Sequence, residues 1–300
     1  MKVLVYGAAG SQQFPVINAL KSKGAAVFAT THQPENAEML KAAGAEPVIA
    51  NMNNRERLFE ITKGIDAISF LVPFFLENPL DGLDYAKNAI DAAVENKVKL
   101  LVWNTSGFIL PVKIGNPSLD IRIDIAEYLK QSGLPHIIIQ PSVYAENLLG
   151  PWTAPYVKNE QTVTYPTPEE MPVGWIATKD VAAFVAEAIY NPQLAGQSFL
   201  VSGVENLTGS QLANKFSIAL GNPVQYRQMP PKEFGKILDG LFGEGAGKGA
   251  ETMYQEITDT KQYPIMHSAN LSEVLEKLPI KMTSMEEWVA QNKAGFTQND

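Results

Sequence analysis

From its first residues the chain alternates short apolar strands with amphipathic helices, and that alternation limits its fold more than any other feature. Lys2 to Gly7 reads as a strand, Phe14 to Ser22 as a helix and Ala25 to His32 as a second strand. Pro34 opens a helix that stops at Gly44, "AEPVIAN" gives a third strand, and Asn53 with Glu56 spells a capping box for a helix ending at Gly64. The fourth strand is "IDAISFLVPF", after which Leu83, Ala86, Ile90, Ala93 and Val94 share one helical face. "VKLLVWNTSG" is apolar at successive rather than alternate positions, the pattern of a strand covered on both faces in a parallel sheet. "DIRIDIAEYLKQSG" and "HIIIQP" add a further helix and a sixth strand.

The expected fold class is therefore α/β, a Rossmann-type doubly wound parallel sheet with right-handed crossovers. After Pro141 the rhythm breaks. A loop-rich stretch holding Trp152, Tyr156 and Tyr165 precedes the helix "DVAAFVAEAIYN" and the strand "SFLVSG", which return to the sheet. From Thr208, with Gln211 closing a capping box, the chain turns mainly helical, with one strand candidate at "PVQYRQM". Residues 1–149, joined by 176–203, are thus expected to form the Rossmann domain, and 150–300 a smaller, mostly helical lobe. "GEGAGKGAE", Gly243 to Glu251, is the only low-complexity stretch and reads as a surface loop.

The formal charge of -8 offers no basic footprint for nucleic acid, so none is expected to bind this chain by itself. Cysteine is absent, which excludes disulfide and thiolate chemistry. The N-terminus enters a strand at once and no apolar run approaches the ~20 residues of a membrane span, so the default expectation is a cytoplasmic protein without signal peptide or membrane helix.

The turn after the first strand reads "GAAGSQQ". In a dinucleotide-binding turn the first glycine permits the bend, the second lets backbone approach the pyrophosphate, and the third lets helix pack on strand. Gly7 and Gly10 fill the first two places and Gln13 stands in the third. Only the packing role is lost, so Gln13 is expected to shift the helix slightly without barring phosphate from its N-terminus.

"GAAGSQQ", "AAGAEPVIANMNNRERLFEITKGIDAISFLVPF", "NAIDAAVENKVKLLVWNTSG", "LKQSGLPHIIIQPSVYAENLL", "GWIATKDVAAFVAEAIYNPQLAGQSFLVSG", "LTGSQLANKFSIALGNPVQY" and the tail "LPIKMTSMEEWV" follow one another as the blocks of one family do. In this order the chain resembles the NmrA-like family of atypical short-chain dehydrogenases/reductases. The resemblance implies a Rossmann lobe that binds NADP(H) or NAD(H) and a C-terminal lobe closing over the nicotinamide. It also implies either reductase activity or, as for the family's namesake, nucleotide-responsive regulation through a partner protein.

Cofactor choice is set at the end of the second strand, where NAD sites place a carboxylate on the ribose hydroxyls. Here the stretch is "FATTHQ", with no carboxylate before Glu35, and His32 falls where the family carries a phosphate-binding arginine. NADP(H) is therefore favoured over NAD(H). The family's "GDL" has become "ANM", leaving Asn51 as an amide near the adenine. The expected cofactor residues are Gly7, Ala9, Gly10, Ser11 and Gln12 in the first turn, Thr31 and His32 after the second strand, and Asn51 after the third. Phe70, Leu71 and Val72 follow from the fourth strand, and Asn104 and Thr105 from the fifth.

The catalytic residues are unknown at this level. Short-chain dehydrogenases pair a tyrosine with a lysine four residues on to lower the phenol's pKa, and none of the ten tyrosines here has that lysine. The lysine that related reductases carry ahead of the glutamate matching Glu127 is replaced by Ile123 or Asp124, with Arg122 the nearest cation. His32, His136 and His267 lack metal-ligand spacing, no GxSxG elbow occurs, and "GEGAGKGA" fails the P-loop pattern. Asp120, Asp124 and Glu127 share a face expected to be solvated rather than catalytic. "QPSVYAENLL" follows the sixth strand, which makes Tyr144, Asn147 and Trp152 the substrate candidates and Tyr144 a weak proton donor. Two functions stay open: an NAD(P)H-dependent reductase of a small conjugated carbonyl or quinone, or a non-catalytic redox-sensing regulator that binds NAD(P) and a partner protein.

Overall fold

A computed structural model describes residues 1–73, 76, 78–262 and 270–297. Phe74, the last residue of the expected fourth strand, and His267 lie outside the described residues. The strands are β1 (Lys2–Val5), β2 (Ala26–Thr31), β3 (Glu46–Ile49), β4 (Ala67–Phe70), β5 (Leu100–Asn104), β6 (His136–Pro141), β7 (Val143–Tyr144), β8 (Thr162–Tyr165), β9 (Trp175–Ile176), β10 (Ser198–Val201) and β11 (Gln225–Gln228). The helices are α1 (Phe14–Ser22), α2 (Ala37–Ala42), α3 (Arg55–Ile61), α4 (Asp81–Glu95), α5 (Pro117–Gln131), α6 (Ala154–Glu160), α7 (Thr178–Ile189), α8 (Gly209–Leu220), α9 (Pro231–Phe242), α10 (Lys248–Thr260), α11 (Ser272–Lys277) and α12 (Met285–Gln291). No described helix is long and apolar enough to cross a membrane.

The chain divides into two compact units. The first comprises Met1–Pro141, Thr178–Val201 and Ser272–Ile280. Its seven-stranded sheet has the order β10-β6-β5-β4-β1-β2-β3 and is parallel throughout, the Rossmann-like topology read from the sequence. The order reverses between β1 and β4, which run in register from Val3↔Ala67 to Val5↔Ser69. Successive side chains of a strand point to opposite faces, so a sheet covered on both needs apolar residues at every position. Leu4, Tyr6, Ile68, Phe70, Leu101 and Trp103 pack with α3, α4 and α5 on one side. Val3, Val5 and Val102 are buried on the other, where α1 and α7 pack together.

The second unit comprises Ser142–Ala177, Ser202–Leu271 and Lys281–Asp300. It is mainly helical, with two short parallel pairs, β7 with β9 and β8 with β11. Tyr165, Trp175, Phe234 and Tyr254 meet edge to face or tilted at centroid distances of 4.8 to 6.0 Å and form its aromatic centre.

Four local expectations need correction. The cap of α3 is Asn54, whose Oδ1 accepts from Arg57 N at 3.0 Å, one residue beyond the Asn53 expected to cap. The glycine stretch is only partly a loop, because α10 begins at Lys248; a Cβ on Gly247 would lie 2.0 Å from the Gly235 carbonyl oxygen, so these glycines let α9 and α10 touch backbone to backbone. Residues 272–280, expected in the C-terminal lobe, belong to the first unit, where Lys277 Nζ donates to Gln197 Oε1 at 3.1 Å beside β10. Likewise Ser142 to Leu149, expected with the Rossmann domain, belong to the second unit because β7 pairs with β9.

Candidate functional site

The strand order sets the C-terminal ends of β3, β2, β1, β4 and β5 side by side, and every expected cofactor residue lies on one of those ends. An open parallel sheet binds ligands along this edge, at the point where its order reverses. The central piece is the turn between β1 and α1.

Gly7 holds φ +64°, which side chains disfavour, and a Cβ built on it would meet nothing within 4 Å. Thr30 of the neighbouring strand anchors the start of the turn: its Oγ1 accepts from Gly7 N and its carbonyl from Ala8 N, both at 3.0 Å. Gly10 N closes on the Gly7 carbonyl at 2.9 Å, and Gln13 N and Phe14 N both donate to the Gly10 carbonyl. The amides of Ala9, Ser11 and Gln12 are left without a protein acceptor among the described residues. Three free N–H groups at the start of a nine-residue helix, under open space, form an anion site in which donors and helix dipole act together.

Gln13 occupies the third glycine's place at 1% exposure. Its Oε1 accepts from Ser69 Oγ of β4 at 3.0 Å, so the longer side chain replaces close packing with a hydrogen bond between helix and sheet. Gln13 Nε2 and Gln12 Oε1 are both buried without a partner among the described residues.

At the end of β2, Thr31 is buried and its Oγ1 accepts from Gln33 N at 3.1 Å, so it shapes the loop rather than facing outward. His32 is exposed, and its imidazole has no protein partner among the described residues. Asn51 is exposed after β3, its Oδ1 accepting from Asn53 N. Phe70 is fully buried, set edge-on to Tyr6 at 6.0 Å and tilted on Trp103 at 6.3 Å, so only its backbone can meet a ligand. Leu71 and Val72 are half-buried.

Asn104 and Thr105 are also buried and build the turn after β5: Asn104 Oδ1 accepts from Ser106 N, and Thr105 Oγ1 donates to the Ile139 and Gly107 carbonyls. The group they present is Ser106, held at φ +54°, whose Oγ accepts from Gln12 Nε2 at 2.7 Å. Beneath it Arg122, 6% exposed, donates from Nε to the Thr105 carbonyl at 2.8 Å and from Nη2 to the Ser106 carbonyl at 3.4 Å. A cavity of about 30 Å³, room for a single water, is lined by Trp103, Thr105, Ser106 and Arg122 among others. Sequence reading missed Thr30 and Ser106, and named Arg122 only as the cation nearest the absent lysine's place. The glycine after Ser106 marked a turn, but nothing local names the partners of a threonine on a neighbouring strand or an arginine on a helix.

No acid–base constellation assembles on α5 among the described residues. Tyr128 OH donates to Asp91 Oδ1 at 2.6 Å, and that hydrogen bond and burial push its pKa up, the wrong direction for a proton donor. Asp124 pairs with Lys113 at 2.6 Å, and Asp120 accepts from the amides of Ile114 and Gly115. His136 Nδ1 lies 2.8 Å from the Leu134 carbonyl, and no cluster of metal-ligating groups occurs among the described residues. The substrate candidates all belong to the second unit. Tyr144 is buried on β7, Asn147 donates to Tyr165 OH at 3.4 Å, and Trp152 stacks edge-on to Phe234 with Nε1 buried and unpartnered. Trp175 is core at 4% exposure.

The NmrA-like family model matches residues 1–289. An NAD(P)H azoreductase from Xenophilus azovorans is 25% identical over 242 residues, covering 80% of this chain and 81% of that protein. A photosystem II assembly factor, Ycf39 of Trieres chinensis, is 22% identical over 251 residues, 81% of this chain and 76% of its own. Among solved structures, an NADPH-dependent quinone oxidoreductase from Escherichia coli in complex with NADPH superposes with a TM-score of 0.77 at 20% identity, covering 97% of this chain and 99% of that one.

Proposed function

Because the chain belongs to the NmrA-like family, a family of NAD(P)-binding reductases, we propose that it is an NAD(P)H-dependent reductase of a small conjugated carbonyl or quinone, with NADP(H) preferred. The observation that carries the proposal is the open turn of Gly7 to Gln12, with three unclaimed amides at the N-terminus of α1. A dinucleotide fits that turn: its pyrophosphate takes the amides, and the buried, unpartnered Gln12 Oε1 is an acceptor awaiting a donor. Bound there, the cofactor supplies hydride.

The chain's residues then position the reactants more than they exchange protons. Thr30 and Gly10 fix the turn, and Arg122, Asn104 and Thr105 fix the end of β5. The exposed His32, with no carboxylate before Glu35, supports a 2′-phosphate at the adenosine end. The missing tyrosine–lysine pair points to an acceptor that hydride converts to a stabilised anion, as it converts a quinone to a phenolate, rather than to a simple ketone. The azo and quinone substrates named for two similar proteins are of that conjugated class.

The test is NADPH oxidation by purified protein with quinones, enals and aldehydes. Turnover with quinones and enals, falling away with saturated aldehydes, is the expected result. Dinucleotide binding without turnover would instead favour a regulator that answers to NAD(P) through a partner protein, a reading supported by the likeness to an assembly factor.

A further inference from the structure

Gln12 does more in this structure than line a turn. Its side chain leaves the β1–α1 turn and donates from Nε2 to Ser106 Oγ at 2.7 Å, beyond the end of β5. Since β4 lies between β1 and β5, this one hydrogen bond passes over the end of β4. A dinucleotide laid along the edge has its pyrophosphate at the first turn and its nicotinamide half beyond it, toward β5. The carboxamide of Gln12 therefore stands where pyrophosphate gives way to the second ribose.

The amide is held and half satisfied. Ser106 is fixed by Asn104 Oδ1 on its N–H and by Arg122 on its carbonyl, and it engages the nitrogen of Gln12. The other end, Oε1, is buried and has no partner among the described residues. Leaving a buried acceptor without a hydrogen bond is costly, so a ligand that supplies a donor there recovers that cost on binding. Phosphate oxygens only accept at neutral pH and cannot supply it. A ribose hydroxyl donates.

We infer that Gln12 is the recognition residue for the nicotinamide-side ribose, its Oε1 accepting a hydrogen bond from a ribose hydroxyl while Ser106 holds the amide in orientation and Arg122 holds Ser106. This rests on the dinucleotide reading of the site, and it adds that the ribose is read from the phosphate turn as well as from the end of β5.

The test compares two ligands that differ only in that sugar. ADP carries the adenosine and pyrophosphate, and ADP-ribose adds the terminal ribose. Affinities of both, and of NADPH, are measured by calorimetry for wild type, Gln12→Leu and Ser106→Ala, with thermal unfolding of each free protein as a check on folding. Wild type is expected to bind ADP-ribose more tightly than ADP. Gln12→Leu is expected to weaken ADP-ribose and NADPH by roughly 5- to 20-fold and to leave ADP unchanged, in line with one lost hydrogen bond to a buried acceptor. Ser106→Ala is expected to show the same pattern at smaller size, because Oε1 remains but is free to turn away. Equal weakening of ADP and ADP-ribose by Gln12→Leu, or weakening of neither, overturns the inference while leaving the dinucleotide site intact. A wild type that binds none of the three ligands overturns the site itself.

Discussion

Gly7→Ala separates the fold's need for this glycine from the ligand's. At φ +64° an alanine is strained by about 1 kcal/mol, and its methyl group meets nothing within 4 Å in the free protein. The expected cost to stability is therefore that strain alone, roughly 2–4 °C in Tm for a domain of about 150–250 residues. Binding has further to fall. The same methyl group fills the open space over the turn and keeps a phosphate from closing on the Ala9, Ser11 and Gln12 amides. Charge-assisted hydrogen bonds are worth about 1.5–3 kcal/mol each, so losing two raises Kd by roughly 10²- to 10⁴-fold at about 1.4 kcal/mol per decade. Gly64→Ala is a matched control: φ +72° and equally open space, but between α3 and β4 at the opposite end of the sheet. It should lose the same stability and no affinity. Titration with NADPH by calorimetry, beside thermal unfolding of each variant, checks both. If Gly7→Ala binds NADPH within threefold of wild type while its Tm falls as expected, the space above Gly7 is not where the phosphates go, and the argument from the turn fails.

His32→Ala should weaken NADPH by roughly 3- to 10-fold and leave NADH unchanged, since only the former has a 2′-phosphate; equal wild-type affinity for the two cofactors removes the basis of the NADP preference. Asp66 accepts from Lys99 Nζ at 2.7 Å and Lys2 N at 2.9 Å, and these contacts lower its pKa. A lowered carboxylate pKa contributes stability that is complete above the ordinary carboxylate range and lost as pH falls through the folded-state value. Asp66→Asn should therefore unfold slightly earlier than wild type in urea at pH 7, by ~0.5 kcal/mol for so exposed a pair, and the gap should close in acid; a gap that widens in acid reverses the sign. Gly247→Ala should destabilise α9 and α10 by more than about 2 kcal/mol, because the obstacle is the Gly235 backbone, and limited proteolysis should cut near residue 243 faster than in wild type; unchanged cleavage would mean the helices can part without cost.

The alternation of strand and helix was legible because each buried strand of a parallel sheet must be apolar on two faces, and "KLLVWN" has no other way to read. Boundaries slipped where two adjacent residues could do the same job: Asn53 and Asn54 are both caps by type, and only the hydrogen bond to Arg57 N separates them. The second unit was harder to read for a different reason. "TVTY" and "QYRQ" are four-residue strands that pair across some sixty positions, too short to carry a period and too distant to announce a partner. The glycines at 235 and 247 looked like loop punctuation because spacing cannot show that two helices meet at their backbones.

The site divides along the same line. Gly7 and Gly10 were readable because their backbone geometry is a property of one residue, and the bare end of β2 because a missing carboxylate shows in the sequence. Asn104 and Thr105 were named as contacts, yet both are buried and spend their side chains on the turn that presents Ser106. Which residue builds a turn and which faces out of it depends on the path of the chain. Gln13 looked like damage to a fingerprint, but its bond to Ser69 shows the helix-to-sheet contact made by other means. The same geometry bears on chemistry. At the ends of β1, β4 and β5 the described donors are three amides, one carboxamide, the Ser11 and Ser106 hydroxyls and an arginine already directed at backbone carbonyls, none of them a group that gives up a proton near neutral pH, while the imidazole of His32 lies after β2, toward the adenosine end. On the proposed function these residues hold and orient a dinucleotide and do not protonate a product, which suits acceptors whose reduced form is stable as an anion until water protonates it. The rate of quinone reduction should then change little between pH 6 and 8, whereas a bell-shaped profile would demand an acid that the described residues at the ends of β1, β4 and β5 do not supply.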